Sequence, residues 1–173
     1  KALKRIEENK KSKAETLYLE YCGLKDLPKE LMDCLWLKHL NIGGNEISDL
    51  SLVSNFKNLT QLFCYENQIK NIDGLSKLSN LETLYLDVNQ ISDLSPIAHL
   101  SNLKYLDCSE NKINDLNHVS TCSNLTTLLF GNNKIDDISP ITKLNKLENL
   151  DCGGNKNIDL NYISKFIKLK NLS

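Results

Sequence analysis

No run of apolar residues in this 173-residue chain approaches the ~20 that a membrane-crossing helix needs. Charge of one sign is not in excess either: 21 lysines and arginines face 22 aspartates and glutamates. The lysines scatter over loops instead of forming the basic stripe of a nucleic-acid binder, so no nucleic-acid partner is expected. Histidine is scarce. His39, His99 and His118 stand far apart, which indicates neither a metal site nor a catalytic pair. No G-x-x-x-x-G-K-[ST] loop occurs, and Cys22 has no predicted base beside it. The chain therefore reads as a non-enzyme with no catalytic residue, cofactor or metal. No secretory leader is recognisable, and with Lys1 in place of a methionine that absence carries no weight. Aromatic residues are few, eleven in all, which makes their positions informative.

What the chain does have is a period. Leu37, Leu59, Leu81, Leu103, Leu125 and Leu147 stand 22 residues apart, and Leu169 starts a further unit. A fixed period of this length marks a solenoid. Each unit reads L-x-x-L-x-L/C-x-x-N-x-I-x-x-L, as in Leu103, Leu106, Cys108, Asn111, Ile113 and Leu116. The fourth position holds Leu17, Leu40, Leu62, Leu84, Leu106, Leu128, Leu150 and Leu172; the sixth holds Leu19, Ile42, Cys64, Leu86, Cys108, Phe130 and Cys152. Alternation with polar residues predicts a half-buried strand in every unit. Ile91 with Leu94, and Ile97 with Leu100, close the coil from the far side. One unit cannot bury its apolar face alone, so neighbours must stack on it. Runs such as Ser95-Pro96 and Ser139-Pro140 start the convex segment, with Ser as cap and Pro at the first helical position.

Two polar columns read as structural. The ninth position is Asn45, Asn67, Asn89, Asn111, Asn133 and Asn155, where the strand turns away inside the coil and an amide can pair with backbone groups. The thirteenth holds Asp49, Asp93, Asp115, Asp137 and Asp159, with Asn71 between, and reads as turn capping. The cysteines also fall in columns. Cys64, Cys108 and Cys152 take the inward strand position of alternate repeats, Cys34 and Cys122 the last core column, and Cys22 the place of the ladder Asn. Two repeats apart is roughly 10 Å, beyond the ~7 Å Cα reach of a disulfide. These are expected to be free thiols packed as small hydrophobes, which favours a reducing, cytoplasmic compartment over the cell surface.

This pattern is the leucine-rich repeat. The expected fold is an α/β solenoid, with a curved parallel sheet on the concave face and short helices or turns on the convex face. The 22-residue unit resembles the bacterial internalin repeats and the SDS22-type regulators of a protein phosphatase, over residues 37–168. Ile91-Ser92-Asp93-Leu94-Ser95-Pro96-Ile97 is especially internalin-like. The opening, Ala14-x-x-Leu17-x-Leu19-x-x-Cys22-x-Leu24-x-x-Leu27-Pro28-x-x-Leu31, resembles the first repeat of large bacterial leucine-rich-repeat proteins, including Roco-type GTPases. That likeness implies a module of something longer.

The expected organisation is an N-terminal cap helix at 1–13 and a repeat domain at 14–173. The domain divides into a 23-residue first repeat (14–36), six 22-residue repeats (37–168) and an incomplete one (169–173). Leu3 and Ile6, three apart, are expected to share the face of the cap that covers the core. At the other end Asn157 breaks the Ile column, and an open apolar end predicts further chain or end-to-end self-association.

Outward strand residues line the concave face. Phe63, Tyr65, Tyr85 and Tyr105 fall on three adjacent repeats and are expected to form one exposed patch, with Tyr18 further along. Asp87, Asp107, Glu66 and Glu110 flank them and make the patch acidic. Gly43, Gly44, Gly153 and Gly154 are expected to leave both ends of the face bare. Tyrosine offers large contact area at low entropy cost, which is why it recurs at interface hot spots. The expected function is protein–protein recognition within a larger intracellular bacterial scaffold or signalling protein. The alternatives are an internalin-like surface or secreted adhesin, and an SDS22-like phosphatase regulator.

Overall fold

The computed structural model describes residues 1–156 and 158–173. Eight short strands form one parallel sheet in chain order: β1 (Thr16–Tyr18), β2 (His39–Asn41), β3 (Gln61–Phe63), β4 (Thr83–Tyr85), β5 (Tyr105–Asp107), β6 (Thr127–Leu129), β7 (Asn149–Asp151) and β8 (Asn171–Leu172). Register follows the repeat. Leu17, Leu40, Leu62, Leu84, Leu106, Leu128, Leu150 and Leu172 are Cα partners in turn. A slip of one residue would turn this column out to solvent, so the buried leucines lock the register. From Leu37 to Leu128 the fourth- and sixth-position side chains are wholly buried.

Each of the strands β1 to β7 is followed on the opposite side by one 3-10 turn, as at Ser51–Asn55, Ser95–His99 and Ser139–Lys143. Five residues between two core columns leave room for a tight turn and no α-helix. The cap is the aspartate of the thirteenth column, as expected of that column, and not the serine. Asp93 Oδ1 accepts from Ser95 N at 2.7 Å and Asp93 Oδ2 from Ser95 Oγ at 2.7 Å, and Asp49 and Asp137 do the same for Ser51 and Ser139. The carboxylate sits two residues before the turn and reaches forward, which leaves the serine inside the first turn. Pro96 and Pro140 follow within that turn, where no N–H is missed.

The asparagine column knits the repeats together. Asn89 Oδ1 accepts from Ile69 N at 2.9 Å, and Asn89 Nδ2 donates to Cys64 O, Leu86 O and Asp87 O. Asn67, Asn111, Asn133 and Asn155 repeat the arrangement. At the first repeat Asn45 Oδ1 takes both Cys22 N and Leu24 N, so Cys22 needs no amide of its own.

An α-helix, α1 (Ala2–Ser12), lies along the outer edge of β1. Its buried residues are Ala2, Ile6 and Asn9, whereas Leu3 is 52% exposed. At 100° per residue Ala2, Ile6 and Asn9 fall within one narrow stripe and Leu3 lies about a quarter-turn away. The expected pairing of Leu3 with Ile6 on the core is therefore corrected. The stripe beside Ile6 has a polar task. Lys1 Nζ donates to Tyr21 O, Arg5 Nη1 to Tyr18 O at 2.8 Å, and Asn9 Nδ2 to Ala14 O and Thr16 O at 3.0 Å. Four helical residues rise ~6 Å and two strand residues ~6.6 Å, so side chains at i, i+4 match alternate carbonyls of the strand edge.

At the opposite end, Cys152 N donates to Ser173 O at 2.9 Å, and Leu172 and Ile167 are exposed. The break expected at Asn157 lies outside the described residues.

Candidate binding face

The sheet face opposite the 3-10 turns carries the third, fifth and seventh repeat positions, with the eighth as its rim. Strands pack about 4.8 Å apart, the right spacing for aromatic rings on neighbouring strands to stack. Phe63 and Tyr85 are register partners, with ring centroids 5.0 Å apart at 22°. Tyr105 lies two residues earlier on β5, across from Thr83, and leans diagonally onto Tyr85 at 4.6 Å and 27°. The three rings form one continuous stack. Each shields the next, so all three are half-buried.

Tyr65 and Tyr18 are placed apart from that stack. A Cβ at Gly43 would run into the ring of Tyr65, and one at Gly44 into that of Tyr21. The two rings lie over the paired glycines, so this end of the face is not bare: a backbone without side chains leaves a trough that neighbouring rings fill. Tyr21 Oη donates to Glu66 Oε2 at 3.3 Å, and Glu66 is the first cause holding the Tyr21 phenol above its ordinary pKa. Tyr21 was not among the residues expected on the face, because it lies two repeats from the aromatic cluster; the glycine pair one repeat on was the available signal. Tyr18 is exposed and separated from Phe63 by Asn41; together with Thr16, His39 and Gln61 they line a cavity of about 260 Å³. At the far end Gly153 and Gly154 are exposed.

The carboxylates divide by what they already do. Asp107 Oδ1 accepts from Ser109 N at 3.0 Å, a local turn bond that Asp151 and Asn41 also make to residues two ahead. Burial nevertheless pushes the Asp107 pKa up. Asp87, one position group over, has no such turn bond. Its Oδ1 is shut off from solvent and has no hydrogen-bond partner. Burial first, then Asp107, Glu66 and Glu110, push its pKa up to about 6. Burial raises Tyr105 as well, followed by the adjoining Tyr85, so this phenol stays a neutral donor.

The rim carries backbone strain. Tyr21, Gly44, Glu66, Val88, Glu110, Asn132 and Gly154, all at the eighth position, have φ between 49° and 68°. Only Gly, Asn and Asp adopt this region cheaply. Val88, at φ 54°, is β-branched, and it follows Asp87 directly.

No metal-holding cluster occurs among the described residues. His99 and His118, apart in sequence, do line one convex-side cavity with Asp73 and Ser95. Cys22, Cys34, Cys64, Cys108, Cys122 and Cys152 are all free thiols. Burial pushes Cys64 and Cys108 far up and Cys122 up to about 11, so these three are not nucleophiles near neutral pH. No helix of the described residues is long and apolar enough to cross a membrane.

With this geometry in view, the comparisons with known proteins are consistent. A family model described as leucine-rich repeats (two copies) matches residues 36–77, 57–99, 79–121 and 123–171. The chain belongs to the leucine-rich repeat family, whose fold serves protein–protein interaction. Its structure is similar to that of an internalin (inlF) from Listeria monocytogenes, at 27% identity and TM-score 0.86, covering 91% of this chain and 47% of that one. The chain thus spans about half of that internalin's length. It is also similar to internalin C2 from the same organism, at 26% identity and TM-score 0.87, covering 99% of this chain and 91% of that one. No curated protein sequence matches the chain.

Proposed function

We propose that this chain is a non-catalytic recognition module that binds a protein partner on its concave sheet, as part of a larger intracellular scaffold or signalling protein. The observation that carries the reading is the Phe63–Tyr85–Tyr105 stack, half-open on the sheet face beside a carboxylate with an unpartnered oxygen. Stacked rings present a rigid surface that loses little entropy on binding. Glu66 and Glu110 form the rim, Asp107 lies on the face between them, and Tyr65, Tyr21 and Tyr18 extend the contact area toward β1. The six unpaired thiols support a reducing compartment. The likeness to two internalins favours a second reading, an internalin-like surface or secreted adhesin that uses the same face. Alkylation in denaturant without reductant separates the two: six labelled thiols support the first, and protection of cysteines in pairs supports the second.

The face is tested by replacing Tyr85 or Asp137 with the photo-crosslinker benzoylphenylalanine in an extract of the source cells. The proposal expects a discrete protein adduct from position 85 and none from the convex position 137. The reverse pattern would reject the concave face.

A further inference from the structure

The third, fifth, seventh and eighth columns together hold Glu20, Glu66, Asp87, Asp107, Glu110 and Asp151, and no lysine or arginine. Six carboxylates on one face of a chain whose net charge is -1 make the rest of the surface net positive. The lysines nearest the strands stand one position before the face and are already paired with glutamates, as Lys104 Nζ is with Glu82 Oε2 at 2.8 Å and Lys38 Nζ with Glu15 Oε1 at 2.7 Å.

Within the seventh column the chain supplies its own comparison. Glu20 and Asp87 share that column, and each has one carboxylate oxygen shut off from solvent with no hydrogen-bond partner. Glu20 has a cation beside it: Arg5 reaches over β1 and stands 4.0 Å from Glu20 Oε1 while donating to Tyr18 O. Among the described residues Asp87 has no cation. It has instead the Tyr85 ring of its own strand stacked on Tyr105 of β5, and the Asp107 carboxylate of β5.

Resting on the concave-face reading, we propose that the partner presents a basic segment, with an arginine side chain set against the Tyr85–Tyr105 rings and in charge-assisted hydrogen bonds to Asp87 and Asp107. A guanidinium suits both halves of this site. Its flat face stacks on aromatic rings, and its edge offers paired N–H donors to carboxylates. It would set a cation beside Asp87, through the carboxylate oxygen that is not shut off, as Arg5 sets one beside Glu20. The six carboxylates would draw such a segment in and repel an acidic one.

The groups that face Asp87 are Asp107 and the neutral Tyr105 phenol from β5, the Glu66 and Glu110 side chains from the rim, and the neutral Cys64 and Cys108 thiols beneath. All the ionised neighbours are acidic, so Asp87 holds a proton more readily than an ordinary aspartate. Binding of the arginine needs the ionised form. Affinity should therefore be full above pH about 7 and fall as pH drops through about 6.

The test uses the whole chain labelled with ¹⁵N and a short Gly-Ser peptide carrying arginines, with its neutral citrulline counterpart as the control. The expected result is that the arginine peptide shifts the amide signals of Tyr85, Asp87, Tyr105 and Asp107. It should bind about tenfold more tightly than the citrulline peptide, weaken with salt and below pH 6, and lose that advantage in Asp87→Asn. Equal binding of both peptides at these amides would overturn the arginine proposal and leave the concave-face reading intact. Shifts elsewhere, or none, would overturn the arginine proposal, while the concave-face reading stands or falls on the crosslinking at positions 85 and 137. Concentration-dependent shifts of the same amides without peptide would assign the face to a second copy of the chain and overturn the proposal too.

Discussion

Asp87 and Val88 are adjacent residues that each work against the fold. Asp87 is driven by burial to a pKa of about 6, above its unfolded value near 3.8. The folded state therefore holds the proton more tightly. That contribution is fully present below pH about 4 and lost as pH rises through about 6, so the ionised carboxylate destabilises the fold at neutral pH. Asp87→Asn should raise stability at pH 7 by on the order of 1 kcal/mol, discounted because the carboxyl is partly solvated, and should change little at pH 4. Urea melts at the two pH values check this; equal effects at both would contradict it. Val88 holds φ 54° where Asn132 occupies the same column at 55°. Val88→Asn should stabilise by about 1 kcal/mol in the same assay, and a loss of stability would show that the valine packs better than its backbone suggests. Neither feature was legible in the sequence. Asp87 is one of six carboxylates in its columns, and desolvation of one oxygen depends on how neighbouring rings settle. The left-handed eighth position is hinted at by Gly44 and Gly154, but five side-chain-bearing residues share it and mask the signal.

Among the elements, the strands were the most legible, because a column of leucines with period 22 admits one register. The turns opposite were legible as short, and the aspartate column as their caps; the serine expected to cap as well proves to be the aspartate's partner, giving its own N–H and hydroxyl to the carboxylate. The helix α1 shows where pattern reading fails. Leu3 looked like the apolar anchor, yet Ala2, Ile6 and Asn9 face inward because the strand edge demands hydrogen-bond donors at i, i+4 spacing as well as apolar cover. This gives a direct check. Arg5→Ala removes the donor to Tyr18 O and should cost about 1–2 kcal/mol. Lys4→Ala, which breaks only an exposed pair to Glu8, should stay within about 0.5 kcal/mol of the parent. Thermal melts that show equal effects would argue that α1 holds on through Ile6 alone.

At the scale of the whole molecule, a sheet covered at one edge by α1 presents one continuous face, and beside β8, the last strand of the described residues, Ile167 and Leu172 are exposed. A strand edge with exposed apolar neighbours is suited to pairing with more chain or with a second copy. Ile167→Lys with Leu172→Lys should then abolish any dimer seen by sedimentation, and a persisting dimer would place the contact elsewhere. The aromatic cluster was legible as a concentration on adjacent repeats. Its division into a Phe63–Tyr85–Tyr105 stack and a Tyr21–Tyr65 pair over glycine was not, since ring direction is settled between repeats and not within one. The proposed partner docks on that stack. The most direct test is the dissociation constant of the crosslinked partner, once purified, for Tyr85→Ala and for the convex variant Asp137→Lys, with thermal melts of both. Tyr85→Ala should weaken binding by about 2 kcal/mol, roughly 30-fold, while Asp137→Lys leaves it unchanged. If Asp137→Lys abolishes binding and Tyr85→Ala leaves it intact, the concave face is not the binding site.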